Sequence, residues 1–260
     1  MSALLDVTRL SRSFGGLQAV KELTFSVQKG EIVGLIGPNG AGKTTAVNLI
    51  SGNILPSSGD VHFAGEKVTG LRPSRLCAKG LVRTFQHTAI YHDRTVGENA
   101  RRATYLTRYC GALRSLLPDA RARARREQAD ARASEYLAMF GLQSEIDTLA
   151  GSLPYGHQKI LGIILAMVTS PELILLDEPV AGLSAEETDR VRDVIKQIRA
   201  DGVSVMVIEH NMRFISGLCD RVVVVAHGQE LAQGVPSDVL RNPKVIEAYL
   251  GSSHVPTDHS

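Results

Sequence analysis

The chain has 260 residues, of which 43% are hydrophobic and 22% are charged. This composition is typical of a globular protein and argues against a disordered chain. At about 150 residues per domain, the length predicts one or two domains. The 29 Lys and Arg side chains nearly balance the 27 Asp and Glu side chains, which leaves a formal net charge of +2. A chain so close to neutral gives no reason to expect nucleic-acid binding through its overall charge, although a local basic patch stays possible.

The N-terminal segment and the apolar runs give no sign of export or of membrane insertion. Asp6 comes too early for the apolar core of a signal peptide. The longest apolar runs, 160–168 and 222–226, are far shorter than the roughly 20 residues that span a bilayer. We therefore expect a soluble chain that reaches a membrane only through a partner. Three widely spaced cysteines without a CxxC pair are typical of reduced thiols in a cytosolic protein: Cys77, Cys110 and Cys219.

Short β-branched runs alternate with helical patterns along most of the chain, which predicts an α/β fold built on a largely parallel sheet. In chain order, we predict a strand at 31–36, a helix from about 42 to 50, a short strand at 61–63, strands at 173–176 and 203–208, and a hairpin of 221–226 with 229–233 around His227-Gly228. A helix is predicted at 186–200 because apolar residues recur there at helical spacing: Val191, Val194, Ile195 and Ile198. Short helices are expected from the hairpin to Leu250.

The segment from about 97 to 143 differs from the rest, because it is rich in Ala and Arg and has no strand pattern. We expect it to be helical. Without an internal repeat or a flexible linker, the chain is predicted to form a single domain at 1–250, with a helical subdomain at about 88–168 inserted in its core and a polar tail at 251–260. A cluster of basic side chains in the insertion is interpreted as a solvated helix face: Arg121, Arg123, Arg125 and Arg126.

The strongest chemical signal is a phosphate loop. The segment 37–45 reads GPNGAGKTT and fits GxxxxGK[ST] between a predicted strand and a predicted helix. Its glycines let backbone N–H groups turn towards phosphate oxygens, and the helix N-terminus adds its positive end. Lys43 is expected to reach the β- and γ-phosphates of ATP, and Thr44 to hold Mg²⁺. The whole loop is a candidate nucleotide site: Gly37, Pro38, Asn39, Gly40, Ala41, Gly42, Lys43, Thr44 and Thr45.

A second signal is the acidic pair Asp177-Glu178, which follows the predicted strand 173–176. Ligands bind at the carboxyl ends of strands in open α/β sheets. Alone, such a pair is as often an exposed strand end as a functional site. Together with a phosphate loop, it predicts that Asp177 holds Mg²⁺ through water and that Glu178 polarises the attacking water.

The remaining motifs are, in chain order, Phe14 before Gly15-Gly16, Gln86, the segment 153–158, the segment 181–184 and His210. Their order resembles that of the ATP-binding subunits of ABC transporters. The resemblance implies that Gln86 is the Q-loop glutamine and a Mg²⁺ ligand, that His210 is the switch histidine, and that Phe14 stacks on adenine. It also implies an ABC-type ATPase fold, in which N-terminal antiparallel strands and a helical subdomain join a mostly parallel core. Two segments match the family's LSGGQ signature and D-loop: Leu153-Pro154-Tyr155-Gly156-His157-Gln158, and Ala181-Gly182-Leu183-Ser184.

Four segments are similar to one branch, the larger ATPase of high-affinity branched-chain amino-acid importers: Arg83–His87, Thr95–Asn99, Tyr155-Gly156, and the closing Asn242-Pro243 with Ala248-Tyr249-Leu250-Gly251. The branch implies ATP hydrolysis by Glu178, His210 and Gln86 at the cytoplasmic face of the plasma membrane. Two subunits would dimerise head to tail, with ATP between one phosphate loop and the other signature. The implied partners are a second ATPase of different sequence, two membrane permeases and an extracytoplasmic solute-binding protein, with no nucleic acid.

Several residues depart from the family pattern. Pro154 replaces the signature serine, whose hydroxyl would contact the γ-phosphate held by the opposite subunit, and Ser184 replaces the D-loop aspartate. These changes leave the chain's own phosphate loop intact. They predict poorer ATP hydrolysis at the other site of the dimer, which is the site that this chain's signature completes. The positions often held by Arg, Glu and Arg after the signature carry Ile160, Gly162 and Leu165.

Other readings of the motifs stay open. A urea-type or lipid-export ATPase is the nearest alternative. A soluble ABC ATPase that acts on ribosomes or DNA is disfavoured, because the chain has one phosphate loop and no sustained heptads. A regulatory nucleotide-binding module without turnover is disfavoured because Glu178 and His210 are both present. The transported solute and the choice between identical and different ATPase partners are not encoded in these motifs.

Overall fold

The computed structural model describes residues 3–84, 90–106 and 120–251. Gln86, Cys110 and the predicted tail beyond 251 lie outside the described residues. The side chains of the predicted basic cluster at 121–126 are not described either. The chain divides into two compact units, Met1–Arg72 with Ser204–Ser260, and Pro73–Val203.

The strands are β1 (Leu5–Phe14), β2 (Leu17–Val27), β3 (Ile32–Ile36), β4 (Ser58–Phe63), β5 (Glu66–Lys67), β6 (Leu81–Arg83), β7 (Leu173–Asp177), β8 (Ser204–Ile208), β9 (Arg221–Ala226) and β10 (Gln229–Gly234). The helices are α1 (Lys43–Ile50), α2 (Pro73–Ala78), α3 (Val96–Leu106), α4 (Ala120–Met139), α5 (Tyr155–Met167), α6 (Ala185–Ala200), α7 (Met212–Ser216), α8 (Pro236–Val239) and α9 (Pro243–Gly251). Short 3₁₀ turns lie at Gln143–Glu145 and Ala150–Ser152. In the described part of the chain, no helix is both long enough and apolar enough to cross a membrane.

The first unit contains an antiparallel sheet in the order β2-β1-β4-β5 and a core built around β3. In that core, β3 lies between β8 and β9 and is parallel to both, while β10 is antiparallel to β9. Every residue of β3 and β8 is buried, as expected for parallel strands that are covered on both faces. The carboxyl ends of β3 and β8 therefore lie side by side, and each leads into a predicted site motif.

The second unit pairs β6 with β7 in parallel and contains α2 to α6. Every residue of β7 is buried, so Asp177 lies at the end of an apolar strand. The predicted helix at 186–200 is confirmed as α6, which begins one residue earlier. Its buried face consists of the four predicted residues. The predicted helical character of 97–143 is also confirmed where the structure describes it, in α3 and α4.

Candidate nucleotide-binding and catalytic site

The phosphate loop is enclosed by two backbone segments that are distant in sequence. A Cβ atom on Gly37 (φ +152°) would lie 2.0 Å from the carbonyl oxygen of Val225. A Cβ atom on Gly42 (φ +100°) would lie 2.4 Å from the carbonyl oxygen of Ala19 in β2. The loop therefore requires glycine at both positions, because any side chain would collide with backbone.

The turn between β9 and β10 closes the same loop. The N–H of Gly228 donates a hydrogen bond to the carbonyl of Ala41 (2.9 Å). His227 and Gly228 both have positive φ, +49° and +78°, as expected for a two-residue hairpin turn that matches the twist of its strands. The hairpin that the sequence predicts at this point is confirmed.

Lys43 and the start of α1 form an anion cradle. The Lys43 ammonium donates to the carbonyl oxygens of Gly37 (2.7 Å) and Pro38 (2.9 Å), so it lies over its own loop. Gly42 is the N-cap of α1 and has no side chain that could cap the helix. The N-cap residue therefore has no side chain that competes with an anion at this end of the helix, and the helix dipole favours the anion. Thr44 and Thr45 belong to this first turn.

Phe14 lies at the tip of the hairpin formed by β1 and β2, where it pairs with Leu17. Its side chain is 43% exposed. The guanidinium carbon of Arg12 lies 4.7 Å from the ring centroid, and Arg12 Nη1 donates to the carbonyl of Leu55 (2.9 Å). A cation–π contact therefore steadies a ring that is otherwise open for stacking.

Glu209 and then His210 follow β8. His210 is exposed, whereas Glu209 is only 1% exposed. Glu209 Oε2 accepts hydrogen bonds from the N–H groups of His210 (3.0 Å) and Asn211 (3.4 Å). A buried carboxylate thus shapes the turn that presents His210. No sequence motif assigns a role to Glu209, although an acidic residue directly after a buried strand is a signal that could reveal one.

Asp177 forms a buried ion pair with Arg83. The Nη2 and Oδ2 atoms lie 2.6 Å apart, and the two side chains are 8% and 2% exposed. The N–H of Thr84 donates to the carbonyl of Leu175 (2.9 Å), which ties the end of β6 to β7. Arg83 is therefore fixed beside the predicted Mg²⁺ carboxylate, three residues before Gln86. In the sequence, Arg83 stands out only as the first residue of the Arg83–His87 motif, which does not reveal this ion pair.

Glu178 has a left-handed backbone, with φ at +49°. For a residue other than glycine, this conformation costs about 1–2 kcal/mol and requires support from its surroundings. Its carbonyl accepts hydrogen bonds from the N–H of Ala181 (3.3 Å) and from Lys159 Nζ (3.2 Å). The loop that carries the predicted base is therefore held by α5.

The signature and the D-loop are joined by Glu187. Pro154 is the N-cap of α5, and the N–H of Gly156 donates to Glu187 Oε1 (3.2 Å). Glu187 Oε2 accepts from the N–H of Ser184 (2.9 Å), and these two residues form a capping box at the start of α6. Hydrogen bonds from Ser184, and then that from Gly156, lower the pKa of Glu187. Ser184 can replace the family's aspartate here because both residues are good N-caps.

The aromatic residue of the signature lies beside the D-loop. Tyr155 is 49% exposed, and a Cβ atom on Gly182 (φ +78°) would lie 3.4 Å from its ring. Gln158 turns back to donate to the carbonyl of Leu153 (2.9 Å). Leu153 is buried, whereas His157, Ala181 and Leu183 are partly exposed.

The Thr95–Asn99 motif orders the segment that follows the Q-loop position. Asn99 is 1% exposed. Its Oδ1 accepts from the N–H of Tyr91 (2.8 Å), and its Nδ2 donates to the carbonyls of Tyr91 and Thr95 (both 3.0 Å). Thr95 and Glu98 cap α3 reciprocally. Asn99 thus orders the backbone of residues 91–95 from a buried position, a role that its place in the sequence does not reveal.

The predicted site residues fall into two groups. Phe14, the phosphate loop and His210 lie in the first unit, and the last two lie at one edge of the β3 core. Asp177, Glu178, the signature and the D-loop lie in the second unit. Gln86 lies outside the described residues.

Two families of transport proteins match this chain. Residues 20–181 match the ABC transporter family, and residues 229–255 match the family described as branched-chain amino acid ATP-binding cassette transporter. The chain is 39% identical to the high-affinity branched-chain amino acid transport ATP-binding protein LivG of Salmonella typhimurium, and 37% identical to BraF, of the same description, from Pseudomonas aeruginosa. Each match covers 96% of this chain and 98% of the relative.

The predicted ABC ATPase fold is confirmed by a solved structure. The ADP conformation of MJ1267, an ATP-binding cassette of an ABC transporter, has a TM-score of 0.85 to this chain at 29% identity. That similarity covers 96% of this chain and 100% of the solved chain. With its motifs, its fold and its full-length relatives in agreement, this chain belongs to the ATP-hydrolysing subunits of the ABC transporter family, in the branched-chain amino acid branch.

Proposed function

We propose that this chain drives an importer for branched-chain amino acids. The observation that carries the proposal is the match of 229–255 to the branched-chain family. This region contains α8 and α9 and lies outside the ATP-binding motifs in the sequence, so its similarity reflects the branch and not those motifs. LivG and BraF, which are high-affinity branched-chain amino acid transport ATP-binding proteins, support the same solute class.

The residues of the cradle fit the triphosphate of ATP. Backbone N–H groups of the phosphate loop and the Lys43 ammonium would bind the phosphate oxygens, because both supply positive charge in an enclosed loop. Phe14 would stack on the adenine ring. Glu178 would accept a proton from the attacking water, and His210 and Gln86 would orient the water and the γ-phosphate.

The donor set also fits Mg²⁺. The ion prefers oxygen ligands and is usually held by one or two carboxylates together with substrate phosphates. The Thr44 hydroxyl, the Gln86 amide oxygen and the Asp177 carboxylate supply such atoms, and Asp177 already faces a cation, the Arg83 guanidinium. When bound, Mg²⁺ would neutralise charge on the β- and γ-phosphates.

The proposed assembly follows from the exposed signature. Tyr155 and the start of α5 would meet the nucleotide of a second ATPase subunit of different sequence in a head-to-tail dimer. Closure of that dimer would move two membrane permeases, which receive the amino acid from an extracytoplasmic binding protein. The subunit would then work at the cytoplasmic face of the plasma membrane. Residues 1–250 would act as one ATPase domain, with 88–168 as its helical subdomain.

Reconstitution of the transporter tests this proposal. The chain is purified with the proposed permeases and second ATPase subunit, inserted in proteoliposomes, and supplied with the proposed binding protein and ATP. We expect uptake of labelled leucine, isoleucine or valine that is lost with Glu178→Gln. Uptake of urea instead, or ATP-dependent movement of lipid without amino-acid uptake, would refute the assignment to amino-acid import.

A further inference from the structure

Lys159 lies buried between the signature and the loop that carries Glu178. The residue is only 7% exposed. Its ammonium lies 3.2 Å from the carbonyl oxygen of Glu178 and 5.4 Å from the centroid of the Tyr155 ring. Both contacts come from residues of the same unit.

A buried ammonium is unfavourable unless it is paired. The two contacts of Lys159 meet this requirement, because the carbonyl accepts a hydrogen bond and the aromatic face attracts a cation. Tyr155 and Lys159 are four residues apart on α5 and so share one face of the helix. The lysine head group is therefore directed from the signature towards the catalytic loop.

The peptide that Lys159 contacts needs to be held. Glu178 has a φ of +49°, and a residue persists in this region only where its neighbours fix it. The Glu178 carbonyl accepts from the N–H of Ala181 and from the ammonium of Lys159. The N–H of Ala181 belongs to the same loop, whereas the ammonium belongs to a different element, α5.

We propose that Lys159 is a positioning residue that fixes the Glu178 peptide and thereby aims the Glu178 carboxylate for its role as the base. The inference rests on the role proposed above for Glu178. It also links the exposed Tyr155 ring to that base through a single side chain. A displacement of the signature would then reach the base within the same subunit.

Two substitutions at this position test the idea. Lys159→Met keeps the length of the side chain and removes the donor, so kcat should fall roughly 10- to 100-fold, the effect of misplacing a reacting group by about 1 Å. The KM for ATP and the affinity for a fluorescent ATP analogue should change by less than about threefold, because the phosphate loop is untouched. Lys159→Arg restores a donor and should return kcat to within about threefold of the parent.

A structural control separates positioning from loss of packing. Leu161 is fully buried on the same helix, and Leu161→Ala should lower Tm while leaving kcat at 25 °C within about threefold. In the nucleotide-free protein, hydrogen–deuterium exchange at Ala181 should accelerate in Lys159→Met and not in Leu161→Ala. On a Glu178→Gln background, Lys159→Met should cause no further loss of hydrolysis, because both changes act on one group.

The results that would overturn the inference are distinct. A Lys159→Met protein with kcat within threefold of the parent, or losses that multiply with those of Glu178→Gln, would show that Lys159 does not act through Glu178. If Lys159→Met does not fold, Lys159→Leu takes its place with the same expectations, because leucine also lacks a donor. Full hydrolysis by Glu178→Gln alone would instead remove the role of Glu178, and this inference with it.

Discussion

Replacing Arg83 with methionine should destabilise the protein strongly, because the buried carboxylate of Asp177 then loses the guanidinium that pairs with it. The side chains of Arg83 and Asp177 are 8% and 2% exposed, and their charged atoms lie 2.6 Å apart. Breaking a buried ion pair by removing one partner costs about 3–5 kcal/mol, since the remaining charge is left without compensation in a dry site. A loss of that size from the free energy of unfolding is a large fraction of a domain's total stability.

An exposed pair in the same unit provides the control. Arg190 and Glu186 lie 3.0 Å apart on α6, with side chains that are 55% and 80% exposed. Such i,i+4 pairs contribute about 0.3–0.5 kcal/mol, because water already solvates both charges. Arg190→Met should therefore change the stability by no more than this amount.

Thermal unfolding in EDTA without nucleotide measures the difference. For a chain of this size, each kcal/mol shifts Tm by about 2–4 °C, so Arg83→Met should lower Tm by roughly 6–20 °C. The double variant with Asp177→Leu should recover most of the loss, because an apolar pair can replace a buried ion pair. A Tm within about 2 °C of the Arg190→Met value would refute the reasoning, as would a double variant that is no more stable than Arg83→Met.

Three further substitutions test the packing of Gly34, the asymmetry of the two ATP sites and the burial of Tyr249. Gly34→Ala should lower the free energy of unfolding, measured in urea, by about 1–3 kcal/mol, because its Cβ would lie 3.1 Å from side chains of Cys219, Ile215 and Val222. An unchanged urea midpoint would contradict this. In the complete transporter, Glu178→Gln should abolish most hydrolysis while the same change in the second ATPase leaves a substantial fraction, because Pro154 impairs the other site; equal losses would exclude the asymmetry. Burial raises the pKa of Tyr249 from 10.0 to about 12, against the hydrogen bond from the Gly37 backbone, which lowers it. The unfolded chain therefore loses this proton first, and stability should fall as the pH rises from 10 towards 12. Tyr249→Phe should lessen that fall, and identical pH profiles would contradict the assignment.

The elements that the sequence predicts well are those with a strong local period. In α6, the apolar spacing alone selects the four residues that the structure buries, and the run 31–36 predicts β3 to within one residue. The strands β1 and β2 were expected only through the family resemblance. Their pairing shifts register at several points, and Arg9 and Glu22 have positive φ, so the alternation that signals a strand is interrupted.

The candidate site likewise contains residues that local patterns predict and contacts that they do not. Motif spacing predicts which residues meet phosphate, because the loop, the strand before it and the helix after it are contiguous. The contacts of Arg83 with Asp177, of Lys159 with Glu178 and of Gly156 with Glu187 join residues 94, 19 and 31 positions apart. No local pattern encodes such a pairing, because it depends on how β6, β7, α5 and α6 pack.

The hairpin turn against the phosphate loop has a consequence for synthesis of the chain. The loop lies early in the sequence, yet Val225 and Gly228 form one of its walls. A ribosome must therefore deliver residues 225–228 before the loop can take its final shape. Until then, a nascent chain already displays GPNGAGKTT without the backbone that shapes it. Tight nucleotide binding should thus appear late in translation, and chains truncated before β9 should leave cellular ATP untouched.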